Sequence, residues 1–122
     1  MNMKSKKDIK RKRRITRVRK KIYGSAEKPR LCVFRSLRHI YVQAIDDDNG
    51  KTLATVSTLS PDVIGEIKGK KKSEKAEIVG QKMAEILKDK GIETAVFDRH
   101  GYLYHGRIKS LAEGARKGGL QF

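Results

Sequence analysis

The stretch from residue 31 to residue 57, LCVFRSLRHIYVQAIDDDNGKTLATVS, decides the fold. Residues 31–35, 39–45 and 51–57 are rich in Val, Ile, Thr, Tyr and Phe and are separated by turn residues, the pattern of strands. Ser36, Leu37 and Arg38 make the first connection short. Asp46-Asp47-Asp48-Asn49-Gly50 makes the second, where Asn-Gly supplies the positive backbone angles of a tight hairpin turn. Three strands joined this way form an antiparallel meander. On the second, Ile40, Val42 and Ala44 share one face and His39, Tyr41, Gln43 and Ile45 the other, because successive strand side chains point to opposite sides. One face is core, and the other is a surface that something polar can meet.

Downstream, Ala76, Val79, Met83, Ile86 and Leu87 recur every three or four positions, which places them on one face of a helix over residues 73–90, with Lys75, Lys82 and Lys88 opposite. Ser73 is the expected N-cap, Glu74 and Glu77 lie near the positive end of the dipole, and Gly91 is the stop. Residues 93–98, ETAVFD, suit a buried strand reached by a helical crossover. Ile108, Leu111, Ala112 and Ala115 form the apolar face of a last helix, ended by Gly118-Gly119 before the short tail Leu120, Gln121 and Phe122. The order βββαβα predicts an α/β fold, a small mixed sheet with helices packed on one face. Cys32 falls within the first strand, where it reads as a small core residue.

Upstream, the composition changes. Of the formal charge of +16 over 122 residues, +12 lies in the first 30, which hold 14 basic and 2 acidic residues. Residues 4–21, KSKKDIKRKRRITRVRKK, carry too little apolar surface for a core, and their like charges repel unless an anion neutralises them. The connector YGSAEKPR, residues 23–30, leads into the first apolar run, with Pro29 biasing Lys28 toward an extended conformation. Residues 1–24 therefore read as a basic N-terminal arm, flexible or helical on binding, and residues 25–122 as a single domain. Ile15, Val18 and Ile22 give the arm one thin apolar stripe at helical spacing. Clustered cations displace counterions from a phosphate backbone and gain affinity without base contacts, so the arm reads as nucleic-acid binding. A solubilising or targeting tail has the same composition; a membrane-surface helix would want Leu, Phe or Trp, which residues 4–21 lack.

No apolar run approaches the ~20 residues that cross a bilayer, and no apolar segment follows the basic start as in a secretory signal. The single cysteine has no intramolecular disulfide partner, and Cys and His are too few for the usual zinc ligand spacings, so the chain fits a reducing compartment.

Two segments outside the arm carry the chemistry of RNA contact. Residues 98–107, DRHGYLYHGR, gather Arg99, His100, Tyr102, Tyr104, His105 and Arg107 around two glycines just after a strand end. Guanidinium groups pair with phosphates, aromatic rings stack on unpaired bases, and glycine lets backbone approach backbone. An ordinary strand-to-helix loop whose tyrosines lean on the core is the plainer reading. Residues 68–75, KGKKKSEK, place Lys70, Lys71 and Lys72 at a helix N-terminus, where they can hold phosphate or stand as a solvated charge run; the GxxxxGK[ST] spacing is absent. The run Asp46-Asp47-Asp48 suggests magnesium, but adjacent aspartates of a turn point in different directions, and a solvated turn is the simpler account. Asp98 reads as a partner for Arg99 or a cap. His39, His100 and His105 have no recognisable nucleophile motif, so no catalytic constellation, metal or cofactor is expected.

Pro29-Arg30-Leu31, Phe34-Arg35-Ser36, His39-Ile40-Tyr41 and the run from Phe97-Asp98-Arg99 to Tyr104-His105-Gly106-Arg107, together with the ending Ala115-Arg116-Lys117-Gly118-Gly119-Leu120, resemble the bacterial L18 family of large-subunit ribosomal proteins. The resemblance spans almost the whole chain, with His100 standing where glycine is common and Lys117 where an acidic residue is common. It implies a ribonuclease H-like topology used as a scaffold that binds 5S ribosomal RNA. It also implies attachment of that RNA to the 23S-containing large subunit near ribosomal protein L5, in the cytoplasm or an organelle. Binding rather than cleavage is implied, because residues 31–36 offer none of the carboxylates a two-metal nuclease places on its first strand.

Carried onto this chain, the resemblance assigns phosphate contacts to Lys6, Lys7, Lys10, Arg11, Lys12, Arg13, Arg14, Arg17, Arg19 and Lys20 of the arm. It assigns contacts on the open sheet face to Arg30, Arg35, Ser36, His39, Tyr41 and Gln43, and contacts from the loop to Arg99, Tyr102, Tyr104, His105 and Arg107. A general basic RNA-binding protein without 5S preference is the alternative.

Overall fold

Alternating apolar residues bring the first three strands together as a meander. In a computed structural model that describes Arg13 and residues 22–122, the elements are β1 (Arg30–Arg35), β2 (Ile40–Asp46), β3 (Lys51–Ser57), α1 (Pro61–Ile64), α2 (Lys72–Asp89), β4 (Val96–Asp98) and α3 (Arg107–Lys117). The sheet order is β3-β2-β1-β4, with β1 antiparallel to β2, β2 antiparallel to β3, and β4 parallel to β1. The architecture is thus mixed α/β, as expected, with one short helix, α1, added between β3 and α2. Pro61 fixes the backbone of its first turn and Val63 is buried beneath it.

The register sorts the faces. Leu31 lies opposite Ala44 and Val33 opposite Val42, so β1 and β2 present these residues with Ile40 to one side. There they meet Val56 of β3, Ala76, Val79, Met83 and Leu87 of α2, and Ile108, Leu111 and Ala115 of α3 in one core. Each large aliphatic side chain buried there contributes roughly 1.5–3 kcal/mol. Both long helices therefore share one side of the sheet, and α2 and α3 also pack closely on each other. Where they meet, a methyl group built on Gly80 would run into the Leu111 carbonyl oxygen, and one built on Gly114 into the Glu77 carbonyl oxygen.

Several local expectations change. The β2–β3 connection is the four residues 47–50, because Asp46 belongs to β2, and of the Asn-Gly pair Gly50 alone has positive φ, at 62. The buried Asp46 carboxylate closes it, accepting from the Asp48 amide at 3.1 Å and the Asn49 side-chain amide at 2.7 Å. α2 begins at Lys72 with Lys71 as N-cap and no capping side chain, so Ser73 falls inside the first turn. Gly91 does end it, at φ 79. The tail is ordered against the sheet: the Gln121 amide donates to the Glu93 carbonyl at 3.0 Å, and the Ala95 amide to the Gln121 carbonyl at 3.1 Å. No helix among the described residues is long and apolar enough to cross a membrane.

Candidate nucleic-acid interface

Arg30 begins β1 on the side of the sheet away from the helices, where it was expected to meet RNA. It is instead 5% exposed and held by carboxylates. Its Nε and one terminal nitrogen donate to the two oxygens of Asp47 at 3.0 Å each, and the other terminal nitrogen donates to Asp98 Oδ2 at 2.7 Å. The Asp47 hydrogen bonds raise the guanidinium's proton affinity above the ordinary arginine value, outweighing the opposing effect of burial, and Asp98 adds to the rise. Asp47 also accepts the Gly24 amide at 2.8 Å, and Gly24 lies so close to Arg30 and to the Ile45 carbonyl that no side chain fits. Arg30 is therefore a structural cation that ties β1, the β2–β3 turn, β4 and the exit of the arm together. Asp98 partners Arg30, not Arg99, and its other oxygen caps the His100 amide at 2.8 Å. Neither Asp46 nor Asp47 is a merely solvated turn residue.

The loop between β4 and α3 turns back over β1. The Tyr102 hydroxyl reaches the backbone of Arg35 at the end of β1, donating to its carbonyl at 3.3 Å, and the Arg35 guanidinium sits 5.0 Å from the Tyr102 ring centroid. Arg107, the first residue of α3, is close enough to Arg35 for the two cations to repel. Partial burial, then that repulsion, holds Arg107 below the usual arginine value. By register Arg35 falls opposite Ile40, on the helix side, but the strand ends there and its side chain is exposed beside the loop. Two like charges beside an aromatic ring at an open rim form a locus that an anionic group would relieve.

Around this rim the other expected RNA-binding residues fall at different depths. Tyr41 and Gln43 are half-buried on the open face of β2. Ser36 closes the β1–β2 turn, its hydroxyl accepting from the His39 amide at 3.2 Å, and His39 Nδ1 lies 2.9 Å from Thr58 Oγ1. Lys72 donates to the Leu37 carbonyl of that same turn at 2.8 Å, which brings the exposed Lys70, Lys71 and Lys72 to the same end of the sheet. Arg99 is half-buried, and His105 and Tyr104 are exposed. Tyr104 stands edge-on to Phe97 with ring centroids 6.2 Å apart, and its hydroxyl accepts from Arg116 at 3.2 Å. Arg116 in turn lies over Phe122, 4.5 Å from its centroid, while Phe122 stacks on Phe97. Sequence reasoning did not single out Arg116 or Phe122. No periodic signal pairs a helix end with a chain terminus; only the folding of the tail beside β4 does.

The arm residues Lys6, Lys7, Lys10, Arg11, Lys12, Arg14, Arg17, Arg19 and Lys20 lie outside the described residues; Arg13 is described and exposed.

A strongly basic α/β protein with guanidinium and aromatic groups along one rim has the character of a nucleic-acid-binding protein. A family model described as ribosomal L18 of archaea, bacteria, mitochondria and chloroplast matches residues 5–122. A large ribosomal subunit protein uL18 from Desulfosudis oleivorans is 52% identical over 124 residues, covering all of both chains. The uL18 protein of Bacillus cereus is 52% identical over 122 residues, again covering both fully. That of Syntrophus aciditrophicus is 56% identical over 110 residues, 90% of this chain and 91% of its own. The chain belongs to the ribosomal L18 family, structural proteins of the large ribosomal subunit.

Proposed function

We propose that the protein binds 5S ribosomal RNA and helps attach it to the 23S RNA-containing large subunit, at the central protuberance beside ribosomal protein L5, in the cytoplasm. One observation carries the reading: the exposed Arg35 guanidinium lies 5.0 Å from the Tyr102 ring centroid at the open rim of the sheet, and Arg107, disfavoured as a cation by partial burial and by Arg35, adds a second charge that a phosphate backbone neutralises. Tyr104 offers a ring for an unpaired base, and Tyr41, Gln43 and His39 line the adjoining polar face. Arg99 and His105 of the loop, with Lys70, Lys71 and Lys72 at the sheet end, extend the phosphate-binding surface. Residues 1–24 act as the basic arm, adding attraction that does not depend on base sequence. Residues 25–122 act as the recognition domain.

The fold reading that accompanies this is ribonuclease H-like, supported by the strand order β3-β2-β1-β4 with β4 parallel to β1. β1 reads RLCVFR and carries no carboxylate, which favours binding over cleavage. Gel-shift titration of 5S RNA against excess transfer RNA at fixed salt tests the proposal. Tighter binding of 5S RNA is expected; equal affinity for both would leave a general basic RNA-binding protein.

A further inference from the structure

Beneath the loop that follows β4 lies a group of side chains outside the RNA surface proposed above. Cys32 is fully buried, on the side of the sheet away from the helices. The parallel register sets it beside Asp98, on the opposite side of the sheet from Leu31 and Phe97. His100, two residues past Asp98, covers both. Cys32 Sγ lies 3.7 Å from His100 Nδ1, and the ligating atoms of Cys32, Asp98 and His100 all fall within 4.8 Å of one another. A sulfur and a nitrogen on one tetrahedral zinc ion, at ~2.3 Å and ~2.0 Å from it, are about 3.5 Å apart. That Sγ–Nδ1 separation fits a shared ion, whereas the widest separation in the group, 4.8 Å, has to shorten by about 1 Å for all three atoms to reach one zinc.

The backbone is bent to achieve this. His100 has φ 54, the one non-glycine residue at positive φ among those described. A strained conformation persists where its surroundings impose it, and such strain gathers at functional sites. Here the His100 amide is anchored on Asp98 Oδ1 at 2.8 Å and the ring stands edge-on to Phe34 with centroids 4.6 Å apart. Together these interactions deliver the imidazole over the sulfur. Arg30 grips Asp98 Oδ2 from behind, as an outer partner commonly orients a metal-binding carboxylate. A carboxylate has about four lone-pair sites, and these two hydrogen bonds occupy two of them.

We propose that Cys32, His100 and Asp98 form a metal site that takes Zn2+, with thiolate, imidazole and carboxylate as three ligands. The thiol proton leaves to solvent as the ion binds. Sulfur and imidazole select zinc over magnesium or calcium, which prefer oxygen alone. Bound there, the ion pins the β4–α3 loop to β1.

The test uses the full-length protein prepared metal-free and titrated with Co2+, which takes up zinc geometry and is visible spectroscopically. One equivalent is expected to give a thiolate-to-cobalt charge-transfer band in the near ultraviolet and intense visible bands of tetrahedral cobalt, all removed by Zn2+. Cys32→Ser abolishes the charge-transfer band, and both Cys32→Ser and His100→Gly weaken Zn2+ binding by about 10-fold or more. Glycine accepts positive φ without strain, so His100→Gly keeps the wild-type far-ultraviolet circular dichroism. Glu113→Gln, exposed on α3, leaves Zn2+ binding unchanged. Absence of the charge-transfer band in the wild type, or unchanged Zn2+ affinity in Cys32→Ser, overturns the site and marks any residual binding as adventitious.

Discussion

Arg30 and Asp98, 68 positions apart in the chain, meet in a 2.7 Å ion pair with the carboxylate fully buried. Removing both charges from water is costly, and the cost is offset only because each group is satisfied from several sides: Arg30 by Asp47 as well, Asp98 by the His100 amide. Arg30→Met leaves the Asp98 carboxylate buried without its guanidinium and is expected to lower stability by about 3–5 kcal/mol. Urea denaturation measures it. Arg30→Lys keeps the charge but gives up the two-pronged grip on Asp47, so it should destabilise less.

The crossing of α2 and α3 rests on Gly80 and Gly114, where helix backbone meets helix backbone. Alanine ordinarily strengthens a helix relative to glycine by about 0.5–1 kcal/mol. Here the added methyl meets a carbonyl oxygen, so Gly80→Ala and Gly114→Ala should each be net destabilising by about 1–3 kcal/mol. Gly65→Ala, at a helix-compatible φ of −73 with nothing near its Cβ, should be neutral or slightly stabilising. A thermal melt of the three variants separates the cases.

Arg107 is disfavoured in its charged form by partial burial and by Arg35. Arg107→Gln should therefore leave stability unchanged or raise it, while weakening RNA binding. The log-log salt dependence should flatten by ~0.7–0.9, the amount that corresponds to one phosphate no longer neutralised. Tyr104→Ala should reduce the preference for 5S RNA more than general RNA affinity, by about 1–3 kcal/mol per stacked base. Equal reductions on 5S and transfer RNA would remove the loop from recognition.

Deleting residues 1–22 should lower affinity for every RNA and flatten the salt slope by ~0.7–0.9 for each phosphate that the arm had neutralised. Titrations at several salt concentrations read this directly, and an unchanged slope would make the arm a bystander.

Lys117 on α3 donates to Glu77 on α2 at 2.6 Å, and that hydrogen bond raises its amine above the ordinary lysine value of 10.5. A base with a raised folded pKa contributes its stabilisation fully below the unfolded value and loses it as pH rises through the folded value. The stability difference between wild type and Lys117→Met is thus expected to stay constant through neutral pH and to shrink only in strongly alkaline solution. Denaturation midpoints across that range check the sign. Because the pair is exposed, the difference itself should be small.

Strand alternation made the β1–β2–β3 meander legible, and helical periodicity made the buried faces of α2 and α3 legible, since both follow from which side chains water rejects locally. Charge set the arm apart, and composition the loop, as the segments proposed to bind a polyanion. Arg30 was misread because sequence shows its cation but not the two carboxylates that neutralise it, one from a turn and one from the end of a distant strand. Cys32 is the buried small residue of β1 that its place in the strand indicates; only the tertiary structure shows that His100 is the group covering it.

By itself, then, the amino-acid order determined the element types, the apolar sides of strands and helices, the uneven charge and the family. Tertiary structure alone decided which charges face solvent and which are consumed inside, where two helices touch through glycine, and that a cysteine, a histidine and an aspartate converge. The physical reason is range: hydrophobic periodicity is written within a few residues, whereas ion pairing, close backbone approach and ligand geometry depend on segments that become neighbours only when the sheet closes.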